Sequence, residues 1–214
     1  MNDIEHHVWQ NKTLTTQMAM QWSVQVKQWR DSQQLKLSRN NSSVQNNEAK
    51  VFKWHPPSEG RMKVNVDAHI VAGCSWFSCG LILRDHQGKF IRARTHRFAG
   101  IVPVVEAIGV LEATRWINSL GMHDVDIESD SLVTVQAINK AVENYLEVGV
   151  VFQKCREFLN DRRNISVSFV KKQVNKVAHL IARVPCEVNC FIDLMTPPRS
   201  VLEPLESESL IMII

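Results

Sequence analysis

Between about residues 61 and 99 this chain has the pattern of β-strands, and after residue 99 its apolar residues recur mostly at helical spacing. Before that point, RMKVNVDAHI alternates apolar and polar side chains as a β-strand does, and SWFSCGLILRD and KFIRARTHRF are predicted to be a second and a third strand. After it, apolar residues recur at helical spacing, and two short strand patterns, VDIES and ISVSFVKK, interrupt the helical segments. The predicted order of elements is βββαβααβα.

This order predicts an α/β fold with one mixed sheet. The turn residues DHQG at Asp85–Gly88 connect the second and third strands, so the first three strands are expected to be antiparallel. Helices precede the fourth and fifth strands and provide the crossover connections that parallel strands need. We therefore predict a five-stranded mixed sheet, with three antiparallel strands followed by two parallel ones and with helices on both faces.

The chain has 214 residues, 44% of them hydrophobic, which is enough for one substantial core and too few for two. We predict an N-terminal region at 1–50, formed by an amphipathic helix and an Asn/Ser-rich linker, and a folded domain at 51–185. The remaining residues, 186–214, are predicted to be a C-terminal tail. Because Pro197 and Pro198 are followed by acidic residues, we expect this tail to be mostly extended.

The net charge of +3 is too small to indicate a nucleic acid partner without a local basic patch. The five cysteines form neither an even framework nor paired C-x-x-C motifs, so we expect reduced thiols in an intracellular protein of the nucleus or cytoplasm. No segment resembles a signal peptide, and no run of about 18 apolar residues could span a membrane. We expect a monomer without a membrane partner.

Three acidic residues lie at positions that structural roles explain only in part. Asp67 interrupts the first strand, VNVDAHI, with neither lysine nor arginine beside it. Glu106 lies on the apolar face of the first helix, and the helix dipole, which favours an acid there, would equally favour one on the solvent side. Asp130 follows the fourth strand; it either caps the next helix, in competition with Ser129 and Ser131, or belongs to a site.

The three acids converge if the fourth strand lies beside the first, because ligands of α/β sheets gather at the carboxyl ends of strands. Converging carboxylates repel one another unless a cation lies between them. A ligand set made only of oxygen atoms suits a hard ion such as Mg²⁺ or Mn²⁺. We therefore predict that Asp67, Glu106 and Asp130 are metal ligands.

The chain resembles the ribonuclease H type-1 domain of the plant reverse-transcriptase-like group, which derives from non-LTR retroelements. The resemblance covers about Trp54–Arg183 and is carried by five segments: KWHPPSEGRMKVNVDA, GLILRDHQGKF, EAIGVLEATRWINSLG, VDIESDSLVTVQAI and VSFVKKQVNKVAHLIA. It implies that Asp67, Glu106 and Asp130 are catalytic acids. It also implies hydrolysis of the RNA strand of RNA–DNA hybrids with two divalent ions, Mg²⁺ or Mn²⁺, and selection of the hybrid by its shape and its 2′-hydroxyl groups.

One position departs from the family pattern. The family carries an acid in an N-x-x-A-D-x-L-A motif on the last helix, where this chain reads NKVAHLIA and has His179. A neutral imidazole is a poorer partner for Mg²⁺ than a carboxylate, so we expect the second ion to be held more weakly. Histidine can still transfer protons near neutral pH, which makes His179 a candidate catalytic residue; the alternative is an ordinary half-buried helix residue.

Several polar residues are candidate contacts to nucleic acid: Arg92 and Arg94 on the third strand, Lys171 and Lys172 after the fifth, and Asn175 on the last helix. The alternative for the arginines is a charged edge strand that resists aggregation. Only two helices are predicted between the fourth and fifth strands, which leaves no basic helical protrusion. We therefore expect the isolated domain to bind hybrids weakly.

Three functions are compatible with these patterns. The first is a metal-dependent endonuclease, a hydrolase that cleaves RNA–DNA hybrids. The second is a nucleic-acid-binding or interaction module that has kept the fold and lost turnover, and the third is a fragment of a retroelement polyprotein. Metal-dependent cleavage distinguishes the first from the second, because both predict hybrid binding.

Overall fold

The computed structural model describes residues 52–100, 105–139, 147–162 and 164–210. They belong to the second of two units into which the chain divides, Lys50–Ile214. The predicted N-terminal helix and linker lie outside the described residues, as does Pro103, the predicted start of the first helix. No helix within the described ranges combines the length and the apolar character that a membrane crossing requires.

The sheet contains six strands, which are β1 (Met62–Ile70), β2 (Trp76–Arg84), β3 (Phe90–Ala99), β4 (Val125–Ser129), β5 (Ile165–Phe169) and β6 (Cys190–Leu194). Their order across the sheet is β5-β4-β1-β2-β3-β6. β1, β2 and β3 are antiparallel neighbours, whereas β4 runs parallel to β1 and β5 runs parallel to β4. The predicted mixed α/β fold is confirmed, and β6, which pairs antiparallel with β3, adds one strand to the predicted five.

The helices are α1 (Val105–Ser119), α2 (Leu132–Asn139), α3 (Glu147–Asn160), α4 (Lys176–Ile181) and α5 (Arg199–Leu210). α1 packs on the sheet face that carries Val66, which contacts the α1 residue Gly109. α4 packs on the opposite face at Gly80, where a Cβ atom would lie only 2.1 Å from the Ala182 nitrogen. Because Gly80 has no side chain, α4 can approach the sheet directly beside Asp67, the β1 partner of Gly80.

The prediction of an extended C-terminal tail is wrong, because residues 190–194 form β6 and residues 199–210 form α5. Val201 of α5 is completely buried in a cluster with Ile82 and Ala93 of the sheet and with residues of α4. The two prolines lie just before the first residue of α5, where the missing N–H groups of proline do not interrupt helical hydrogen bonds. Burial of apolar side chains therefore outweighs the local tendency of this segment to be extended.

Candidate metal centre

The three predicted metal ligands lie close together in the structure. The parallel ladder between β1 and β4 ends at the pair Val66 and Ser129, so Asp67 and Asp130 are the next residues on adjacent strands. Glu106 joins them from the first turn of α1. One carboxylate oxygen from each of the three residues lies within 4.8 Å of the other two.

This arrangement fits a hard divalent cation. Oxygen atoms on opposite sides of a Mg²⁺ ion are about 4.2 Å apart, because each bond is about 2.1 Å long. The separations among these carboxylate oxygens, up to 4.8 Å, need to shorten only slightly to reach that geometry. The donors are all carboxylates, which suit Mg²⁺ and Mn²⁺ better than softer metals.

The electrostatics of the cluster also favour a cation. Burial and the charge of Asp130 raise the pKa of Asp67 to about 6, although His179 and Lys172 oppose this shift. Burial likewise raises the pKa of Asp130, against the effects of its own backbone N–H, Lys172, Asn175 and His179. Carboxylates whose charged form is disfavoured by burial and by one another gain stability when a cation neutralises them.

His179 lies directly beside this cluster. Its Nδ1 donates a hydrogen bond of 2.9 Å to Oδ2 of Asp67, and its side chain is 28% exposed. The edge of its ring also faces the ring of His69, with 6.3 Å between the ring centres. His179 therefore orients Asp67 and occupies the position where the family pattern has a fourth acid.

The helix that follows Asp130 is capped by another residue. The Thr134 nitrogen of α2 donates to Oγ of Ser131 over 3.3 Å, and the Ser131 hydroxyl donates to Oγ1 of Thr134 over 2.9 Å. Ser131 thus has the hydrogen bond that defines a helix N-cap. Of the two alternatives for Asp130, the structure supports membership of the acidic cluster.

Replacing Ser131 by alanine is expected to lower the free energy of unfolding by about 1 kcal/mol, because the N-cap hydrogen bond of α2 is lost. Asp130→Asn should cause no such loss, because Asp130 is not the cap. Chemical denaturation of both variants measures the difference. A larger loss in Asp130→Asn than in Ser131→Ala would contradict the assignment of the cap.

Asn175 is a buried residue that contacts the strand carrying Asp67. Its side chain is 1% exposed, and its amide nitrogen donates a hydrogen bond of 2.8 Å to the carbonyl of Val66 on β1. Its amide also helps to keep the pKa of Asp130 from rising further. These contacts indicate that Asn175 positions the backbone of β1 and the acids of the cluster, and its role in binding nucleic acid stays a prediction.

One of the two predicted lysine contacts, Lys172, lies near the cluster. The charge of Lys172 lowers the pKa values of both Asp67 and Asp130, which places this lysine within electrostatic reach of them. The Nζ atom of Lys171 lies 3.5 Å from the centre of the Phe52 ring. Arg92 is half-buried on β3. The roles of these residues in binding nucleic acid stay predictions.

Arg94 is held inside the protein by other side chains. Its Nε and Nη2 donate to the two carboxylate oxygens of Asp193 on β6 over 2.7 and 2.8 Å, and its Nη1 lies 3.2 Å from Oε1 of Glu112. The guanidinium also stacks over Phe191 at 4.1 Å. The interpretation of β3 as a charged edge strand is wrong, because β6 covers that edge and supplies the partner of Arg94.

Glu112→Gln is expected to lower the free energy of unfolding by about 1.5–3 kcal/mol at neutral pH, as for other hydrogen bonds to charged groups. Burial raises the pKa of Glu112, but His96 and Arg94 lower it by more, so the folded pKa lies below the ordinary value. The stabilisation is therefore present above the unfolded pKa and disappears as the pH falls through the folded one. Denaturation curves from pH 7 to pH 3 test this, and a pH-independent difference between the two chains would contradict it.

Two polar residues next to the acids were missed by the sequence predictions. Asn65 lies two residues before Asp67 and Glu128 two residues before Asp130, so each faces the same side of its strand as the acid. The amide of Asn65 donates a hydrogen bond of 2.8 Å to Oε2 of Glu128. The sequence feature that could have identified them is the uninterrupted polar face of the first strand. Polar side chains on a central, buried strand need hydrogen-bond partners, so such a face indicates polar residues on the neighbouring strand.

Fold and site together define a ribonuclease H-like domain with an acidic cluster, and solved structures agree on the fold. Ribonuclease H1 of Halobacterium salinarum NRC-1 is 17% identical, with a TM-score of 0.53 over 57% of this chain and 95% of its own. The N-terminal ribonuclease H domain of a Mycobacterium tuberculosis protein is 13% identical, with a TM-score of 0.51 over 57% and 90%. A ribonuclease H1 from compost, solved with an RNA/DNA hybrid, is 13% identical, with a TM-score of 0.51 over 56% and 93%.

Comparison of the sequence with family models identifies the family of this chain. The model of the reverse transcriptase-like family matches residues 65–184, more than half of the chain, and the chain belongs to this family. The matched segment contains all three acids and His179. No curated protein matches the sequence.

Proposed function

We propose that this chain is a metal-dependent endonuclease that hydrolyses the RNA strand of RNA–DNA hybrids. The observation that carries the proposal is the convergence of the Asp67, Glu106 and Asp130 carboxylates. The cluster lies at the carboxyl end of β4, the part of a parallel sheet arrangement where ligands bind. The compost ribonuclease H1, which has the same fold and was solved with an RNA/DNA hybrid, supports this substrate class.

In this proposal the acids hold Mg²⁺ or Mn²⁺. When bound, such an ion supplies an activated water and neutralises charge on the scissile phosphate, for a displacement that leaves a 5′ phosphate and a 3′ hydroxyl. Asp67, Glu106 and Asp130 provide the ligand oxygens, and the hydrogen bond from His179 fixes the orientation of Asp67. Lys172, which lies within electrostatic reach of Asp67 and Asp130, is positioned to attract the phosphate backbone.

The number of ions depends on His179. The family resemblance implies two ions, and His179 replaces the acid that would complete the ligands of the second. We propose that the three acids hold one ion firmly and that a second ion binds more weakly. We further propose that the domain descends from a non-LTR retroelement of the plant group that it resembles, which the match to the reverse transcriptase-like family supports.

Cleavage of a hybrid with a labelled RNA strand tests the proposal. The full chain should cut the RNA strand internally in Mg²⁺ or Mn²⁺, leave a labelled DNA strand intact, and lose all activity in chelator. Duplex DNA should not be cleaved. Hybrid binding without cleavage in either metal would overturn the proposal and favour a binding module disarmed at His179.

A further inference from the structure

A buried chain of polar contacts runs from the C-terminal helix to the strands that carry the acids. Glu208 of α5 accepts a hydrogen bond from Nη1 of Arg84, and Nη2 of Arg84 donates to Oδ1 of Asn65 over 2.7 Å. Asn65 in turn donates to Glu128 over 2.8 Å, and Glu128 forms an ion pair of 2.6 Å with Lys63. Two cations and two anions therefore balance within one network.

This network is almost entirely removed from solvent. Arg84 and Asn65 are each 1% exposed, and the side chain of Glu208 is 16% exposed. The Arg84 guanidinium stacks on the ring of Trp54 at 3.4 Å, and the indole nitrogen of Trp54 donates to Asn65 over 2.9 Å. A buried guanidinium that loses its carboxylate partner leaves an uncompensated charge, which is costly in a medium of low dielectric constant.

The network lies immediately beside the acidic cluster. Asn65 and Glu128 are a cross-strand pair of the parallel ladder between β1 and β4. The next residues on the same side of these two strands are Asp67 and Asp130, whose carboxylates repel each other. The Asn65–Glu128 hydrogen bond therefore connects β1 and β4 directly beside the acids. It opposes the repulsion that would otherwise push the side chains of Asp67 and Asp130 apart.

We propose that Glu208 is a positioning residue for the metal centre, which it supports through Arg84 and the cross-strand pair of Asn65 and Glu128. The inference rests on the proposed function, because it concerns the same ion site. It assigns a role to α5, which lies beyond the residues that the family model matches. The C-terminal segment is then part of the catalytic domain and supplies an anion that this domain needs.

Calorimetric titration of the full chain with Mn²⁺ tests the proposal. Glu208→Gln should raise the dissociation constant for Mn²⁺ about 3- to 10-fold. This is less than the roughly 10- to 100-fold loss that follows removal of a direct partner of a metal ligand, because Glu208 acts through Arg84 and Asn65. Glu206→Gln is the matched control, because Glu206 lies on the same helix and is exposed; its affinity should equal that of the native chain. Glu208→Asp keeps the charge but moves the carboxylate away from Arg84 by one methylene group, so it should weaken Mn²⁺ binding measurably, though less than Glu208→Gln does.

A general loss of stability should not by itself weaken Mn²⁺ binding, and a destabilised variant outside the network tests this. Val151→Ala removes buried methyl groups from α3 and should lower the melting temperature without changing the affinity for Mn²⁺. If Glu208→Gln fails to fold, Glu208→Asp carries the test, and it should bind Mn²⁺ more weakly than Glu206→Asp. Native affinity in both Glu208 variants, or equal weakening by Val151→Ala, would overturn the proposal. Absence of Mn²⁺ binding in the native chain would instead contradict the proposed function.

Discussion

Replacing Asp67 by asparagine is expected to abolish hybrid cleavage without lowering the stability of the metal-free protein. A bound metal ion contributes several kcal/mol to stabilising the charge of such a transition state. Loss of a ligand that anchors it should therefore reduce the cleavage rate by more than about 100-fold. A carboxylate oxygen of Asp67 lies within 4.8 Å of an oxygen of each of the other two acids, and Asp67 accepts a hydrogen bond from His179.

The Asp67→Asn substitution should leave the melting temperature of the metal-free protein unchanged or raise it, although it abolishes cleavage. Burial and Asp130 raise the pKa of Asp67 to about 6, so its charged form is disfavoured in the folded protein. A neutral amide of the same shape removes this repulsion, and it can still form a hydrogen bond with His179. Thermal unfolding in chelator should show a melting temperature equal to or above that of the native chain, whereas a clear decrease would indicate a structural role for the carboxylate.

The second large effect is expected at His179. His179→Asp supplies a fourth carboxylate next to Asp67, which adds the negative charge and oxygen ligands that a second divalent ion needs. Cleavage in Mg²⁺ should rise at least about 10-fold, because stronger binding of this ion lowers the barrier by about 1.4 kcal/mol or more. Initial rates at several Mg²⁺ concentrations measure the gain.

The same substitution should destabilise the protein when no metal is present. A fourth acid beside Asp67 increases the repulsion in the cluster, so the melting temperature in chelator should fall and should recover when Mg²⁺ is added. His179→Asn is the matched control, because it removes the imidazole without adding charge and should not raise the rate. Unchanged activity in His179→Asp would contradict the claim that the missing fourth acid limits the rate. Lower activity in both His179→Asp and His179→Asn would mean that the imidazole itself contributes to cleavage.

The part of the fold that the sequence predicted correctly is the part with strong local patterns. The alternation in the first strand separates an apolar face from a polar one, and both faces are buried between Lys63 and Asp67. The helical spacing around Glu106 corresponds to the residues that α1 buries. The helix before β4 predicted that this strand is parallel, but the sequence left open whether β4 lies beside β1. The structure places it there and so brings Asp130 next to Asp67. The convergence of the acids could therefore be anticipated only on the condition that these two strands are neighbours.

The errors concern residues whose partners are distant in sequence. Arg94 appeared available for phosphate contacts because its partner, Asp193, lies 99 residues later in a segment expected to be extended. The burial of Arg84 has the same origin, because its carboxylate partner Glu208 lies 124 residues later in the chain. Neither pairing follows from local spacing, because β6 and α5 are recruited by burial of apolar side chains such as Val201.

The sequence also did not identify which of Ser129, Asp130 and Ser131 is the N-cap of α2. All three residue types are good N-caps, so composition does not separate them. The structure identifies Ser131 as the cap, because its hydroxyl accepts a hydrogen bond from the Thr134 nitrogen. Predicting this bond would require knowing the first residue of α2 without an error of even one position. Sequence patterns do not define helix ends that finely.

The most direct test of the central claim locates a bound ion in the native chain. Mn²⁺ is paramagnetic and broadens the NMR signals of nearby residues, so a titration at substoichiometric Mn²⁺ identifies the site. We expect the amide signals of Asp67, Glu106 and Asp130 to broaden first and to stay sharp in Asp130→Asn. Broadening that begins elsewhere, or that persists unchanged in Asp130→Asn, would show that these three acids do not form the metal centre.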